Sequence, residues 1–397
     1  MTAMEKKDKN LNVPNLRFPE FSGEWERCTI GDITRNFSLR NKDKIQYPMF
    51  SVTNSRGFVP QSEQFEDREM IGEDIKAYKI IHEGDFAYNP ARINVGSIAK
   101  YDKSEPCMIS SLYVCFKALP QINNEWLMQL LKTPKMNFYY NVNGEGGVRV
   151  YLFYPNFARI RTSYPSLAEQ QKIASFLSIL DQRIETQRKI IEDLKKLKDA
   201  ICNMNFTSGS ALKLGNVGKF VRGLTYSASD VIDDTRGTAV MRSNNISNGD
   251  PANFEELIWV NKTPNHEQIL RGGDIIICMA NGSSPLVGKA SYYIDCGMES
   301  ATVGAFCGIY RSYNPLTKWL FQSKHYKKHI QRCIQGGNGA IANIYPEDIL
   351  AISFNIPSGY ERVLNVLNSL EEKCLLEQKL LYRYLAVKSH LLAQLFI

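Results

Sequence analysis

The stretch that decides the fold is residues 165–206, PSLAEQQKIASFLSILDQRIETQRKIIEDLKKLKDAICNMNF. Stepping alternately by four and three from Ile173 gives Leu177, Leu180, Ile184, Gln187, Ile191, Leu194, Lys198 and Ile201. Seven of those nine positions are apolar. A 3.5-residue spacing held over four heptads is the seam of a coiled coil rather than the broader stripe of a globular helix. The spacing predicts one helix over 167–206, about 60 Å long at 1.5 Å per residue.

The same pattern returns 190 residues later at Val363, Leu367, Leu370, Cys374, Glu377, Leu381, Tyr384, Lys388 and Leu391, with polar breaks at the same two places. Two unrelated core helices need not interrupt their seams in register. Shorter matches fall in the same order ahead of each helix. Ile30-Gly31-Asp32-Ile33 answers to Leu214-Gly215-Asn216-Val217, PMFSVTN (48–54) to AVMRSNN (239–245), and Gly84-Asp85 to Gly273-Asp274. Val95-Gly96-Ser97 answers to Val287-Gly288-Lys289, Trp126-Leu127 to Trp319-Leu320, and Pro155 and Pro165 to Pro346 and Pro357. Gly-rich turns recur at 144–147 and 336–339. Between them, β-like runs at 85–88, 112–116, 275–279 and 303–307 alternate with Gly, Asn, Pro and Ser turns. The chain therefore reads as α+β: two mixed α/β units in pseudo-twofold duplication, separated by two long antiparallel coiled-coil helices. If those helices pair about a centre near 191–194, Gln187 stands near Lys388 and Lys198 near Glu377, and the polar breaks fix the register.

Composition bounds the function. Across 397 residues, 44% are hydrophobic and 22% charged, as in a packed globular protein. The longest purely apolar stretch, 275–280, has about six residues where a membrane helix needs roughly 20. The N-terminus carries charges without an apolar core, so no signal peptide is expected. Nine cysteines without a Cys-x-x-Cys pair point to a reducing, cytoplasmic location rather than a disulfide framework. The net charge of +7 permits a polyanionic partner. Six basic residues (Arg311, Lys318, Lys324, Lys327, Lys328 and Arg332) stand in 311–335 with no acid among them.

Catalytic patterns are incomplete. GSSPLVGKA (282–290) has five residues between its glycines and Ala where a phosphate loop needs Ser or Thr. Asn89-Pro90-Ala91-Arg92 lacks the second proline and aromatic of an adenine-methylating tetrad, and no glycine-rich cofactor motif precedes it. Asp348 with Glu371-Glu372-Lys373 has the letters of a metal nuclease, but the triplet lies inside the heptad helix. His325, His329 and Cys333 share a helical face but lack a fourth metal ligand. With five histidines in all, the chain is expected to be non-catalytic and to hold no metal.

PSLAEQQKIASFL (165–177) and its continuation resemble the first conserved helix of type I restriction-modification specificity (S) subunits, and PNLRFPEF (14–21) before Trp25 resembles the start of that family. GDFAYNPARINVGSIA (84–99) is similar to a block found in its target-recognition domains. The second copy departs from the pattern: its helix begins Gly359-Tyr360-Glu361-Arg362-Val363 without the Gln pair, and 278–281 replaces the Asn-Pro-x-Arg step. The resemblance implies a flexible leader (1–15), target-recognition domains at 16–165 and 207–357, and spacer helices at 166–206 and 358–397. Each domain would read one half of a split, asymmetric double-stranded DNA target. The helices would bind two modification (methyltransferase) subunits through Glu169, Gln170, Gln171 and Lys172, and restriction subunits would join them. No cofactor is expected in this chain; S-adenosylmethionine, ATP and Mg would sit on the partners.

Arg pairs with guanine edges, and Asn or Gln with adenine. On that chemistry the DNA-binding candidates are Asn54, Arg56, Asn89, Arg92, Asn94 and Arg149 in the first copy. In the second they are Arg242, Asn244, Asn245, Asn281, Lys289 and Asn338, with Lys324, Lys328 and Arg332 as phosphate contacts. Asn in such turns can equally serve its own backbone, and Arg92, in a shared block, suits phosphate as well as a base. A stand-alone DNA-binding regulator, or an enzyme with a disguised site, remains an alternative on sequence alone.

Overall fold

The computed structural model describes residues 12–64, 75–146, 150–206, 208–298, 300–334 and 341–397. The chain divides into two compact units, Met1–Arg188 with Lys379–Ile397, and Lys189–Gln378. The division cuts each long helix near its middle, so each unit owns half of both.

In the first unit an antiparallel sheet runs in the order Thr34–Phe37, Val114–Ala118, Phe86–Tyr88, Ile98–Lys100. Its inner face buries Phe86, Tyr88 and Phe116 against Phe157 and Trp126, all at 0% exposure. The second unit repeats that order and polarity with Gly218–Arg222, Cys307–Ser312, Ile275–Cys278 and Ala290–Tyr292. In both, a strand pair closes the base of the unit, Glu26–Thr29 with Arg161–Tyr164 and Ser210–Lys213 with Ser353–Ile356. The matched Ile-Gly-Asp-Ile and Leu-Gly-Asn-Val segments are each a single helical turn. Their glycines explain the recurrence: a Cβ on Gly31 would lie 3.1 Å from the Ala158 Cβ, and one on Gly215 3.0 Å from the Leu350 carbonyl oxygen.

The copies differ in their outer strands. The first has separate pairs, Phe50–Thr53 with Gly57–Pro60 and Lys79–Ile81 with Cys107–Ile109. The second joins Val231–Ile232, Ile258–Val260, Thr238–Met241 and Ala301–Val303 into one sheet. The expected strand at 303–307 is instead the turn between Ala301–Val303 and Cys307–Ser312, formed around Gly304. An apolar run marks burial here, and two strand ends supply it.

The long helices are Leu167–Asn205 and Tyr360–Leu395. Ile173 and Leu177 from the start of the first share a core with Leu392, Leu395 and Phe396 from the end of the second. In the second unit, Cys202 from the end of the first helix joins Leu367 from the start of the second. Start meets end each time, so the helices run antiparallel. The seam positions Ile173, Leu177, Ile184, Gln187, Ile191 and Lys198 are buried while their neighbours on the helix are largely open.

The register differs from the expected one. Lys388 pairs with Asp181, six residues before Gln187, while Lys198 lies 5.8 Å from the Trp319 ring and Glu377 pairs with Lys373 at 2.6 Å. Apolar packing at the helix ends sets the register, and the charges follow it. The end of the expected flexible leader is fixed too: Asn12 is 8% exposed and its amide donates to the Trp25 carbonyl at 2.6 Å and to Ser163 Oγ at 3.0 Å. Residues 1–11 lie outside the described residues. Among the described residues no helix is long and apolar enough to cross a membrane.

Candidate nucleic-acid interface

In the first unit the polar candidates meet at one edge. Asn54 and Arg56 are exposed in the turn joining Phe50–Thr53 to Gly57–Pro60. The loop carrying Asn89, Arg92 and Asn94 lies directly against it: the Gly96 Cβ position is 3.1 Å from the Asn54 carbonyl oxygen, and Ser97 Oγ donates to the Val52 carbonyl at 2.7 Å. Arg92 is exposed and caps the short 3-10 turn Ile93–Val95. Arg56 faces Glu63 at 3.6 Å. Asn89 is occupied locally, its Oδ1 accepting from the Ala91 amide at 3.0 Å, and Asn94 donates to Asn141 Oδ1 at 3.0 Å. Asn54, Arg56 and Arg92 therefore present the open donors of this edge. Arg149 and the turn glycine Gly147 lie outside the described residues.

In the second unit Arg242, Asn244 and Asn281 line a cleft of about 680 Å³ with Tyr226, Glu256 and Phe306. Asn281 Nδ2 donates to Ser243 Oγ at 3.2 Å, and its Oδ1 accepts from the Ser283 amide at 2.9 Å. Cys307 lies at the cleft; its hydrogen bond with Cys278 on the paired strand, together with burial, pushes its thiol up so that it stays protonated.

Asn245 is a correction. It is 0% exposed, its Oδ1 accepts from the Arg242 amide at 2.9 Å, and its Nδ2 donates to the Glu255 carbonyl at 2.7 Å. It holds the turn together and has no face for DNA. Lys289 lies apart from the cleft, in a groove beside the helix Lys324–Cys333. On that helix Tyr326 and Ile330 point inward, which leaves Lys324, Lys328 and Arg332 exposed in a row. The wider basic run is partly internal: Arg311 is 5% exposed in a bidentate pair with Asp274, and Lys318 pairs with Glu371. Asn338, Gln335 and the glycines at 336–339 lie outside the described residues.

The expected partner residues divide as well. Glu169, 1% exposed, takes Arg17 at 2.8 and 2.7 Å and the Trp25 indole at 3.3 Å. Gln170, 0% exposed, accepts from the Asn123 amide at 2.8 Å and donates to the Pro165 and Gln121 carbonyls at 2.9 and 3.2 Å. Both lock the helix start to its own unit and are corrected from contact residues to structural ones. Gln171 and Lys172 are exposed, with Lys172 facing Glu20 at 3.2 Å. Phe176 and Ile179 also lie open on the same helix, at 41% and 66%, residues that the sequence pattern did not single out. Nor did it point to Tyr226, Glu256 and Phe306, because membership of a cleft depends on which turns meet.

The fold is thus a duplicated α+β unit with polar turns gathered in each copy and two long helices. Residues 22–196 match the family described as the type I restriction modification DNA specificity domain. The chain is 29% identical over 154 residues to the type I restriction enzyme EcoKI specificity subunit of Escherichia coli, covering 36% of this chain and 32% of that one. It is 26% identical over 367 residues to the MjaVIII specificity subunit of Methanocaldococcus jannaschii, covering 83% and 81%. Against other curated specificity subunits the matched stretch spans between 32% and 50% of their length. The crystal structure of the type I restriction-modification S subunit from M. genitalium shares the fold, with a TM-score of 0.54 at 14% identity over 97% of this chain and 99% of that one. In sequence over part of its length, and in fold over nearly all of it, the chain is similar to the specificity subunits of type I restriction enzymes.

Proposed function

We propose that the chain gives a type I restriction-modification complex its DNA sequence specificity, each globular domain (16–165 and 207–357) reading one half of a split, asymmetric target. The observation that carries this reading is the repeated strand order with polar turns gathered beside it in both copies: exposed Asn54, Arg56 and Arg92 in one, and exposed Asn244 with half-buried Arg242 and Asn281 in the other. Two similar but unequal readers suit two unlike half-sites. The row of Lys324, Lys328 and Arg332 supplies sequence-independent grip on phosphate. The helices 166–206 and 358–397 serve as spacer and as the seat for two modification subunits, with Gln171, Lys172, Phe176 and Ile179 on the first helix's open face. Methyl transfer from S-adenosylmethionine, and ATP- and Mg-dependent restriction, belong to those partners.

The test is methyl incorporation from labelled S-adenosylmethionine into DNA, with this chain alone and with its modification subunit. Incorporation only in the presence of the partner supports the reading. Incorporation by the chain alone would make it an enzyme; tight specific binding with no modification subunit recovered alongside it would make it a stand-alone regulator.

A further inference from the structure

The cleft of the second unit carries more information than a polar surface. Arg242 is half-buried in its wall, and its Nε is buried without a hydrogen-bond partner among the described residues. A buried unpaired donor is costly unless a ligand completes it. The turn that carries it is held from below: Asn245, fully buried, accepts from the Arg242 backbone amide at 2.9 Å and donates to the Glu255 carbonyl at 2.7 Å. The next residue, Glu256, also lines the cleft and sits at φ 51°, a conformation uncommon for a residue with a side chain. Such strain persists where surrounding structure enforces it, often at ligand sites. Phe306 stands 65% exposed at the same opening, and Tyr226 forms part of the wall.

We propose that this cleft reads one G·C base pair, Arg242 donating to guanine O6 and N7 and Glu256 accepting from the cytosine amino group. The inference rests on the reading of the chain as a specificity subunit and names what one of its sites takes. The guanidinium fork matches the guanine major-groove edge, and a carboxylate matches cytosine N4. A phosphate is the other anionic partner for an unpaired Arg, but a carboxylate in the same lining repels it, and the aromatic walls suit a base edge. Asn245 is then a positioning residue, acting through the Arg242 turn.

The test uses the assembled complex of the full chain with its modification subunit and duplexes carrying the target mapped from its methylation. Each guanine in the half-site read by the second unit is replaced in turn by 7-deazaguanine, which lacks the N7 acceptor. Binding by the wild-type complex should fall about ten- to a hundredfold at one guanine. Arg242→Ala should bind the unmodified duplex more weakly by a similar factor and be indifferent to the replacement. Arg242→Lys, which keeps the charge and loses the fork, should also lose that discrimination. Three results overturn the proposal: no guanine in that half-site is sensitive in the wild-type complex, Arg242→Ala keeps the sensitivity, or Arg242→Lys matches wild type, as a phosphate contact would. The wild-type series decides even if a variant does not fold. A complex that recognises no split target at all would instead overturn the specificity-subunit reading beneath it.

Discussion

Arg17 clamps the Glu169 carboxylate with two hydrogen bonds of 2.8 and 2.7 Å, and that carboxylate is 2% exposed at the first turn of the long helix. The pair joins the chain before the first strand to the helix that leaves the first domain, and the Trp25 indole adds a third contact at 3.3 Å. The Glu of the Glu-Gln-Gln-Lys step is therefore an internal anchor. Arg17→Ala leaves a buried carboxylate uncompensated and should destabilise the chain by about 3–5 kcal/mol. Chemical denaturation followed by circular dichroism checks it; a loss below about 1 kcal/mol would show that water replaces the guanidinium.

Asn244 and Asn245 are adjacent in sequence and opposite in role. Removing the Asn245 amide orphans the Arg242 amide and the Glu255 carbonyl, so Asn245→Ala should cost about 1–3 kcal/mol. Asn244→Ala, at an exposed position, should stay within about 0.5 kcal/mol. Equal losses in denaturation melts would contradict the assigned roles.

In the first unit the helix register is marked by Lys388 and Asp181. Reversing the two charges singly should lower stability, and reversing both should restore part of it. For this partly exposed pair a coupling of about 0.5–1 kcal/mol is expected. Simple additivity in a double-mutant cycle would move the contact elsewhere.

Lys324, Lys328 and Arg332 are assigned to phosphate, so neutralising them should weaken binding to all sequences alike. The slope of log K against log salt should shrink by about 0.9 for each lost contact, while the methylated sequence stays the same. A changed target sequence would make these residues base readers.

The long helices were legible because a heptad seam is a local, periodic signal, and the burial of Ile173, Leu177, Ile184 and Lys198 follows it position by position. The duplication was legible where physics forces a residue, as at Gly31 and Gly215, where a Cβ would meet the neighbouring helix. What failed was information that only the assembled chain contains. Nothing local distinguishes Asn245 from Asn244, or tells that Glu169 meets Arg17 across 152 residues. The run 303–307 read as a strand because two buried strand ends flank a turn. The register slipped because the polar breaks were asked to pair with each other, whereas Lys388 found Asp181, one position outside the seam sequence.

The central claim, that each unit reads its own half of the target, is tested most directly by exchanging residues 25–164 for the first domain of another specificity subunit. The exchanged chain is co-expressed with its modification subunit, and genome-wide methylation is mapped. The account predicts that one half of the methylated sequence changes to that of the donor while the other half is retained. A target altered in both halves would contradict it, because the two units would then be reading DNA jointly.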